Sequence, residues 1–183
     1  MASVSATAHR LRDLLPSAVR EPSPGEGTPA AVMVPMIDLP RPALLFTVRS
    51  DQVRDHKGEI SFPGGVRHPE DPDLLATALR ETEEELGIGR HAFEVLGALP
   101  PTQTVVSGYV IQPFVGLLAE RPSIAPSPVE IAEVVELDVD RLAAVEQEVE
   151  SWFAYPVDGY VVWGATGRIV HAFLEVWNRA REE

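Results

Sequence analysis

The amino-acid sequence predicts an α/β fold, a sandwich of helices around a central mixed β-sheet. Short apolar segments bounded by proline or glycine are typical of buried strands, and they alternate with segments whose apolar residues recur at helical spacing. The length of 183 residues and the 45% hydrophobic content are sufficient for one well-buried core. Strands interleaved with two or three helices pack best as a sheet covered by helices.

The N-terminal part of the chain is predicted to contain a helix, a linker and two strands. The helix is amphipathic, the linker is rich in proline and glycine, and the strands are apolar and bounded by prolines. We therefore divide the chain into an N-terminal helix and flexible linker at 1–29 and a single domain at 30–183. The predicted elements are a helix at 8–20, the linker Ser23–Pro29, and strands at Ala30–Met36 and Ala43–Thr47.

Further apolar runs predict the remaining strands and a closing helix. Pro113 has no backbone N–H, so its strand is predicted to lie at a sheet edge or to contain a bulge there. Residues 131–137 fit either a strand or the start of a helix. The other predicted elements are strands at 59–62, 93–99, 110–118 and 160–163, a loop at 122–128, and helices at 142–150 and 168–181.

Residues 80–88 place four glutamates within one short stretch of predicted helix. At about 100° per residue, Glu81, Glu84 and Glu85 share one face, whereas Glu83 lies about 200° away from Glu81. Like charges at this spacing destabilise a helix by roughly a few tenths of a kcal/mol per pair. A solvated acidic face is the ordinary interpretation of such a helix. A bound divalent cation is the alternative, because carboxylate oxygens are what Mg²⁺ and Mn²⁺ prefer.

The segment before this helix favours the cation. Gly64 and Gly65 allow the backbone to come close to an ion or ligand. Asp71 is predicted to be the N-cap, with Pro72 at the first helical position and Gly87 just after the last turn. The glutamate face should then point toward Gly64 and Gly65, which we call the glycine loop, and lie opposite a buried stripe of the helix. That stripe consists of Leu75, Ala78, Leu79, Thr82 and Leu86.

The stretch from Gly65 to Ile88 resembles the Nudix box. The pattern of that box is a glycine, a glutamate six positions on, then Arg-Glu-x-x-Glu-Glu-x-Gly and an aliphatic residue. The second half matches at Arg80, Glu81, Glu84, Glu85, Gly87 and Ile88. Thr82 stands where an aliphatic residue is usual. The first half is one residue longer than the pattern, and Pro72 occupies the position of its isolated glutamate.

Residues 45–65 resemble the additional motif of the coenzyme A pyrophosphatase branch of that family. The matching residues are Leu45-Phe46-Thr47-Val48-Arg49-Ser50, then Arg54, Gly58 and Phe62-Pro63-Gly64-Gly65. The resemblance implies an α/β/α sandwich with a loop–helix–loop catalytic motif. It also implies metal-dependent hydrolysis of CoA or acyl-CoA to 4′-phosphopantetheine and adenosine 3′,5′-bisphosphate. Other Nudix substrates, such as ADP-ribose, a dinucleotide or a nucleoside triphosphate, are the alternative, and a non-catalytic Nudix-fold binding module is another.

The resemblance assigns roles within the predicted site. Glu81 and Glu85, with the Gly64 carbonyl, are expected to hold Mg²⁺ or Mn²⁺, and Glu84 to bind a second ion or orient water. Arg80 is interpreted as an organiser of these carboxylates. The cations expected to meet the phosphates of a CoA-like nucleotide are Arg49, Arg54, His56 and Arg67. The general base is left open among Glu84, Glu130, Glu133 and Glu136.

Composition narrows the classes of partner. The net charge of −13 argues against binding of nucleic acid or an anionic membrane, and no apolar run reaches the length of a membrane span. The absence of cysteine excludes disulfides and thiol chemistry and agrees with a cytoplasmic location. A homodimer is possible through the apolar N-terminal strand or the Trp152–Tyr155 region. A purely structural cation site is a further alternative to catalysis.

Overall fold

A computed structural model of the chain describes residues 6–17, 19, 22–23, 25–38, 41–51, 58–104, 107–150 and 152–182. Its helices are α1 (Ala6–Leu14), α2 (Leu74–Leu86), α3 (Val139–Val145) and α4 (Gly164–Glu182). The first strands are β1 (Thr28–Ile37), β2 (Ala43–Arg49), β3 (Ile60–Ser61) and β4 (Gly64–Val66). The later strands are β5 (Phe93–Ala98), β6 (Thr102–Gln103), β7 (Tyr109–Leu118), β8 (Ile131–Asp138), β9 (Gln147–Val149), β10 (Trp152–Val157) and β11 (Tyr160–Val162).

The central sheet is mixed, which confirms the predicted fold class. β1 pairs in parallel with β7 along its whole length, while the other pairs in this sheet are antiparallel. β4 pairs with the first half of β1 and β2 with its end, so the glycine loop is built into the middle of the sheet. Ala31 of β1 is in register with Gly65 on one side and with Gln112 on the other.

Helices cover both faces of the sheet. On one face, Leu74 and Ala78 of α2 pack with Ala31 and Met33 of β1. On the other face, α1 and α4 pack in the main core cluster with alternate residues of β1 such as Val34. The helix α1 is therefore part of the same core as the sheet, although it precedes the predicted domain start at residue 30. None of the helices within the described residues is both long and apolar enough to cross a membrane.

The helix predicted at 142–150 is wrong in its second half. The helix α3 begins at Val139, capped by the Asp138 side chain, and ends at Val145. The chain then forms β9, which pairs with β10 to make a small separate antiparallel sheet with β11. Tyr155 of β10 is fully buried in the main core. The structure of this region is therefore determined by pairing between strands, which a helical spacing of apolar residues does not reveal. The ambiguity at 131–137 is resolved as a strand, β8.

The edge position predicted for the strand containing Pro113 is also wrong. The strand β7 lies inside the sheet, between β1 on one side and β5 and β6 on the other. Pro113 is accommodated because the partner strand changes beside it. Phe114 pairs with β5 and Ile111 with β6, and between them the Pro113 carbonyl accepts a hydrogen bond from Leu99 N–H at 3.0 Å.

Candidate active site

The helix α2 begins two residues later than the sequence predicts. Its N-cap is Asp73, whose side chain accepts a hydrogen bond from Ala76 N–H at 2.8 Å. The predicted N-cap Asp71 and first helical residue Pro72 therefore lie before the helix, and Asp71 has another role described below. The predicted C-terminal residue is confirmed. Gly87 has φ of 69° and donates its N–H to the Glu83 carbonyl.

The two glycines of the loop lie in close contact with their neighbours. A Cβ on Gly64 would lie 2.3 Å from the Ala31 carbonyl oxygen, and one on Gly65 would lie 2.5 Å from the Glu81 carboxylate. Any side chain at either position would need the space that these atoms occupy. The glutamate face of α2 thus points to the glycine loop, as predicted.

Glu85 is the most deeply placed of the glutamates. It is only 4% exposed, and its carboxylate accepts a hydrogen bond from Gly64 N–H at 3.2 Å. The pKa of Glu85 is raised to about 8, chiefly by burial and also by the negative charges of Glu81 and Glu130, although Gly64 N–H and Arg49 act to lower it. Burial also raises the pKa of Glu81. Two carboxylates held out of water beside each other require a positive charge when both are ionised.

Arg80 organises the acidic face through three carboxylates. Its Nη1 donates to Glu81 at 2.9 Å and to Glu84 at 3.1 Å. Its Nε and Nη2 both bind Asp71, each at 3.0 Å. The side chain of Asp71 is 6% exposed and also accepts hydrogen bonds from His68 N–H and Thr77 Oγ1. The Arg80 guanidinium holds the pKa of Asp71 well below its usual range.

Asp71 thus supplies the acid that the sequence pattern lacks at Pro72. The extra residue between Gly65 and Arg80 is accommodated in the loop before α2, and an aspartate six positions after Gly65 reaches the arginine. The signal in the sequence was this spacing counted forward from Gly65. Counting backward from Arg80 leads to Pro72 instead.

The two other glutamates of the helix are exposed. The Glu84 side chain is 58% exposed and is bound by Arg80, so it lies at the mouth of the cluster. Glu83 lies on another side of the helix beside Arg90, with 3.8 Å between Arg90 Nε and its carboxylate. The predicted separation of Glu83 from the other three is therefore confirmed.

The chemistry of this cluster fits a divalent cation. Within the described residues, no three Asp, Glu or His side chains stand close enough together to enclose an ion. The reason is local, because Arg80 draws Glu81 and Glu84 aside and Gly64 N–H draws Glu85. The carboxylate oxygens nevertheless face the backbone of Gly64 and Gly65, where no other side chain would fit. Mg²⁺ and Mn²⁺ prefer oxygen ligands of this kind.

The predicted substrate cations fall in different places. Arg49, at the end of β2, is close enough to Glu85 to lower its pKa, and its buried Nε has no hydrogen-bond partner within the described residues. Arg67 donates to the carbonyls of Asp71 and Pro72, both at 3.2 Å. Arg54 and His56 lie outside the described residues.

The structure separates the three downstream candidates for the general base. Glu130 is close enough to Glu85 to raise its pKa. Glu133 instead accepts a hydrogen bond from the Tyr160 hydroxyl, and Glu136 forms an ion pair with Arg121. Glu84 and Glu130 are therefore the candidates that lie near the acidic face.

A proline-rich loop fixes the end of the helix that carries Glu85. Ala125 N–H donates to the Leu86 carbonyl at 2.8 Å, and Ser127 N–H donates to the Glu85 carbonyl at 2.9 Å. The loop therefore satisfies carbonyls that the helix leaves without partners. The sequence indicated a turn-rich loop at 122–128 but carried no signal that it caps α2.

Substituting Gly65 by alanine tests the close approach of the loop. The new methyl group would displace the Glu81 carboxylate, and we expect kcat to fall about tenfold, because small misplacements of catalytic groups are costly. Gly89→Ala is the matched control. Gly89 has φ of −63°, and the nearest atoms to its added Cβ belong to the His91 side chain, which is exposed and can move. Equal kcat values for the two variants would contradict the prediction.

Comparison with known proteins gives the family of the chain. A family model described as the NUDIX domain matches residues 27–160. The chain is 37% identical over 160 residues to an uncharacterized Nudix hydrolase NudL of Photorhabdus laumondii, covering 80% of this chain and 83% of that protein.

Two solved structures show the same fold. A MutT/nudix family protein from Enterococcus faecalis has a TM-score of 0.58 at 14% identity, covering 100% of this chain and 76% of that one. The NUDIX domain of Shewanella oneidensis NrtR, solved in complex with ADP ribose, has a TM-score of 0.57 at 14% identity, covering 86% and 89%. Since the family model spans most of the chain and curated relatives match over most of their length, the protein is a member of the Nudix hydrolases, pyrophosphohydrolases that generally use divalent metal ions.

Proposed function

We propose that the protein hydrolyses the diphosphate of coenzyme A or acyl-CoA to 4′-phosphopantetheine or its S-acyl form and adenosine 3′,5′-bisphosphate, with Mg²⁺ or Mn²⁺ at the α2 glutamates. One observation carries the proposal. The segment that resembles the CoA pyrophosphatase branch includes Arg49, and the charge of Arg49 acts on the buried carboxylate of Glu85. A residue of the branch motif, Arg49, and a residue of the Nudix box, Glu85, are therefore close together.

The residues of the chain divide the work of the reaction. Glu81 and Glu85 would hold the divalent ion, and Arg80 with Asp71 fixes the direction of Glu81. When bound, the ion would neutralise charge on the diphosphate and lower the pKa of a bound water. Glu84 or Glu130 would accept the proton of the attacking water. Arg49, with Arg54, His56 and Arg67 as further candidates, would bind the phosphates of the nucleotide.

A panel of substrates tests this assignment. CoA, acetyl-CoA, ADP-ribose, a dinucleotide and a nucleoside triphosphate would be incubated with Mg²⁺ or Mn²⁺, with and without EDTA, and the products identified by mass. We expect turnover of CoA and acetyl-CoA that EDTA abolishes. Turnover of ADP-ribose without turnover of CoA would refute the substrate. ADP-ribose is the alternative because the NrtR domain of the same fold was solved with it.

Arg49→Gln tests the contact with the nucleotide. If Arg49 meets the adenosine 3′-phosphate, its loss should raise KM for CoA about tenfold, since hydrogen bonds to charged groups contribute about 1.5–3 kcal/mol. Dephospho-CoA, which lacks that phosphate, serves as the control substrate, and its KM should change much less. Equal effects on both substrates would place Arg49 elsewhere in the site.

The metal-free protein should be less stable at neutral pH than the Glu85→Gln variant. The pKa of Glu85 is raised from 4.5 to about 8, so its protonated form stabilises the fold below pH 4.5, and that contribution is lost as the pH rises to 8. Glutamine mimics the protonated form. In EDTA at pH 8 we expect the variant to melt several degrees higher, since roughly 1 kcal/mol shifts the Tm by about 2–4 °C at this size.

The difference should close near pH 4.5, and millimolar Mg²⁺ or Mn²⁺ should raise the Tm of the wild type but not of the variant. Differential scanning fluorimetry over this pH range measures both effects. If neither ion changes the Tm of the wild type, the metal site is contradicted, even if CoA is hydrolysed in the substrate panel. A cytoplasmic location and a homodimer stay predictions from the sequence.

A further inference from the structure

A cavity of about 570 Å³ lies beside the N-terminal end of α2, apart from the glutamates. Its volume is typical of small-molecule sites, about 300–1,000 Å³. The apolar part of its lining comes from α1, the segment that follows it, α2, the β5–β6 connection and α4. It includes Leu14, Leu74, Leu99, Pro101, Ala172 and Val176.

The cavity is separated from the glycine loop by the central strand. Gly65 pairs with one side of Ala31 and Gln112 with the other, so the two are roughly 10 Å apart at two strand spacings. Gln112 lines the cavity, whereas Gly65 contacts Glu81. Among the residues that the structure describes, none of those assigned to hydrolysis lines this cavity.

Gln112 offers the cavity a hydrogen-bond acceptor. Its side chain is only 3% exposed, and its Nε2 donates to the carbonyls of Leu99 at 2.7 Å and of Pro113 at 3.2 Å. Those two carbonyls fix the orientation of the amide, because the reversed amide would place oxygen against oxygen. No described residue donates to the Gln112 Oε1. An acceptor that opens into the cavity can take a hydrogen bond from a donor on a ligand.

The charged residues of the lining disfavour an anion. Among the described residues they are Glu26, Glu175 and Arg179, which together carry one net negative charge, on a chain whose own net charge is −13. Glu26 already accepts the Ser23 N–H at 2.6 Å, and Glu175 lies 3.9 Å from the His171 Nε2. These negative charges repel an anion but do not repel a neutral molecule.

We propose that this cavity binds a neutral, mainly apolar small molecule that carries a hydroxyl or amide N–H, donated to Gln112. The apolar lining supplies affinity through burial, and the Gln112 acceptor supplies selectivity. This second site does not depend on the substrate of the glutamate centre.

Three matched aromatic compounds test the proposal on the full chain. 1-Naphthol carries a donor, 1-methylnaphthalene has nearly the same shape without one, and 1-naphthoate is an anion. Binding of 1-naphthol would be followed by its fluorescence, and the other two by displacement. We expect 1-naphthol to bind at least about threefold more tightly than 1-methylnaphthalene, as one net hydrogen bond implies. 1-Naphthoate should bind at least about tenfold more weakly than 1-naphthol, because the mouth is acidic.

Variants locate the binding in the cavity. Ala172→Phe fills it from α4 and should abolish binding of 1-naphthol, while Ala143→Phe on the exposed side of α3 should leave binding unchanged. Pro101→Trp, at the exposed rim, replaces Ala172→Phe if that variant does not fold. Absence of 1-naphthol binding would overturn the proposal. So would equal binding of 1-methylnaphthalene, or binding that survives in the variant that fills the cavity.

Discussion

The Glu85→Gln variant is expected to lose kcat on the order of 10³-fold or more while remaining folded, because loss of a central catalytic group has effects of this size. Glutamine keeps the shape of the side chain and can still accept the Gly64 N–H. It removes the negative charge that would hold the cation. Since Glu85 is only 4% exposed, water does not replace the lost carboxylate ligand as it would at a surface. Initial rates with the best substrate of the panel measure the effect.

Glu83→Gln is the control for this variant. It makes the same change two residues earlier on the same helix, at an exposed position beside Arg90. Its kcat and KM should equal those of the wild type. A Glu85→Gln enzyme with full activity would remove the metal site from α2, and an equal loss in both variants would point to the helix rather than to the carboxylate.

The glutamate face could be predicted because it depends on local periodicity. Glu81 and Glu85 are four residues apart, and any helix places them on one side. The glycine loop could be predicted for a similar reason, since only glycine fits where backbone and carboxylate come so close. Both signals lie within a short window of sequence.

Features that depend on distant partners could not be predicted. The interior position of Pro113 depends on where β5 ends and β6 begins, and the strand β9 depends on pairing with β10. An acidic helix is expected to be exposed, but Glu85 is buried. Its surroundings include Arg49 and the loop at 125–127, which are distant in sequence. No local pattern contains these contacts, because they form only when the sheet is assembled.

The depth of the site also separates three glutamates that the sequence treats as equivalent. Glu85 is buried, Glu81 is half-buried and Glu84 is exposed. Only the first two face the glycine loop closely, so their substitution should affect metal binding more than that of Glu84. Helical spacing assigns a common face, but the distance of each residue from the sheet decides its chemistry.

Asp71→Asn is expected to lower both stability and kcat, since it removes the most buried of the carboxylates that pair with Arg80. Removing one partner of a buried ion pair costs roughly 3 kcal/mol, which corresponds to a Tm lower by roughly 10 °C at this size. Asparagine cannot accept both arginine hydrogen bonds and the donors from His68 and Thr77. Arg80 would then shift and carry Glu81 with it, so kcat should fall on the order of 10²-fold with KM little changed.

Asp73→Asn is the control, because asparagine caps a helix about as well as aspartate and Asp73 caps α2. The pH dependence gives a second check. Arg80 lowers the pKa of Asp71 below its ordinary 3.8, so the stabilising charge is present above that pH and is lost as the pH falls further. The wild type should therefore keep its advantage at pH 5 and lose it progressively in stronger acid.

A double variant distinguishes positioning from simple loss of stability. If Asp71 acts through Arg80, Asp71→Asn combined with Arg80→Gln should lose no more activity than Arg80→Gln alone, because the arginine that Asp71 holds is already absent. Fully additive losses in kcat would show that the two residues act separately. In that case the loop before α2 would contribute to the fold without directing Glu81 toward the glycines.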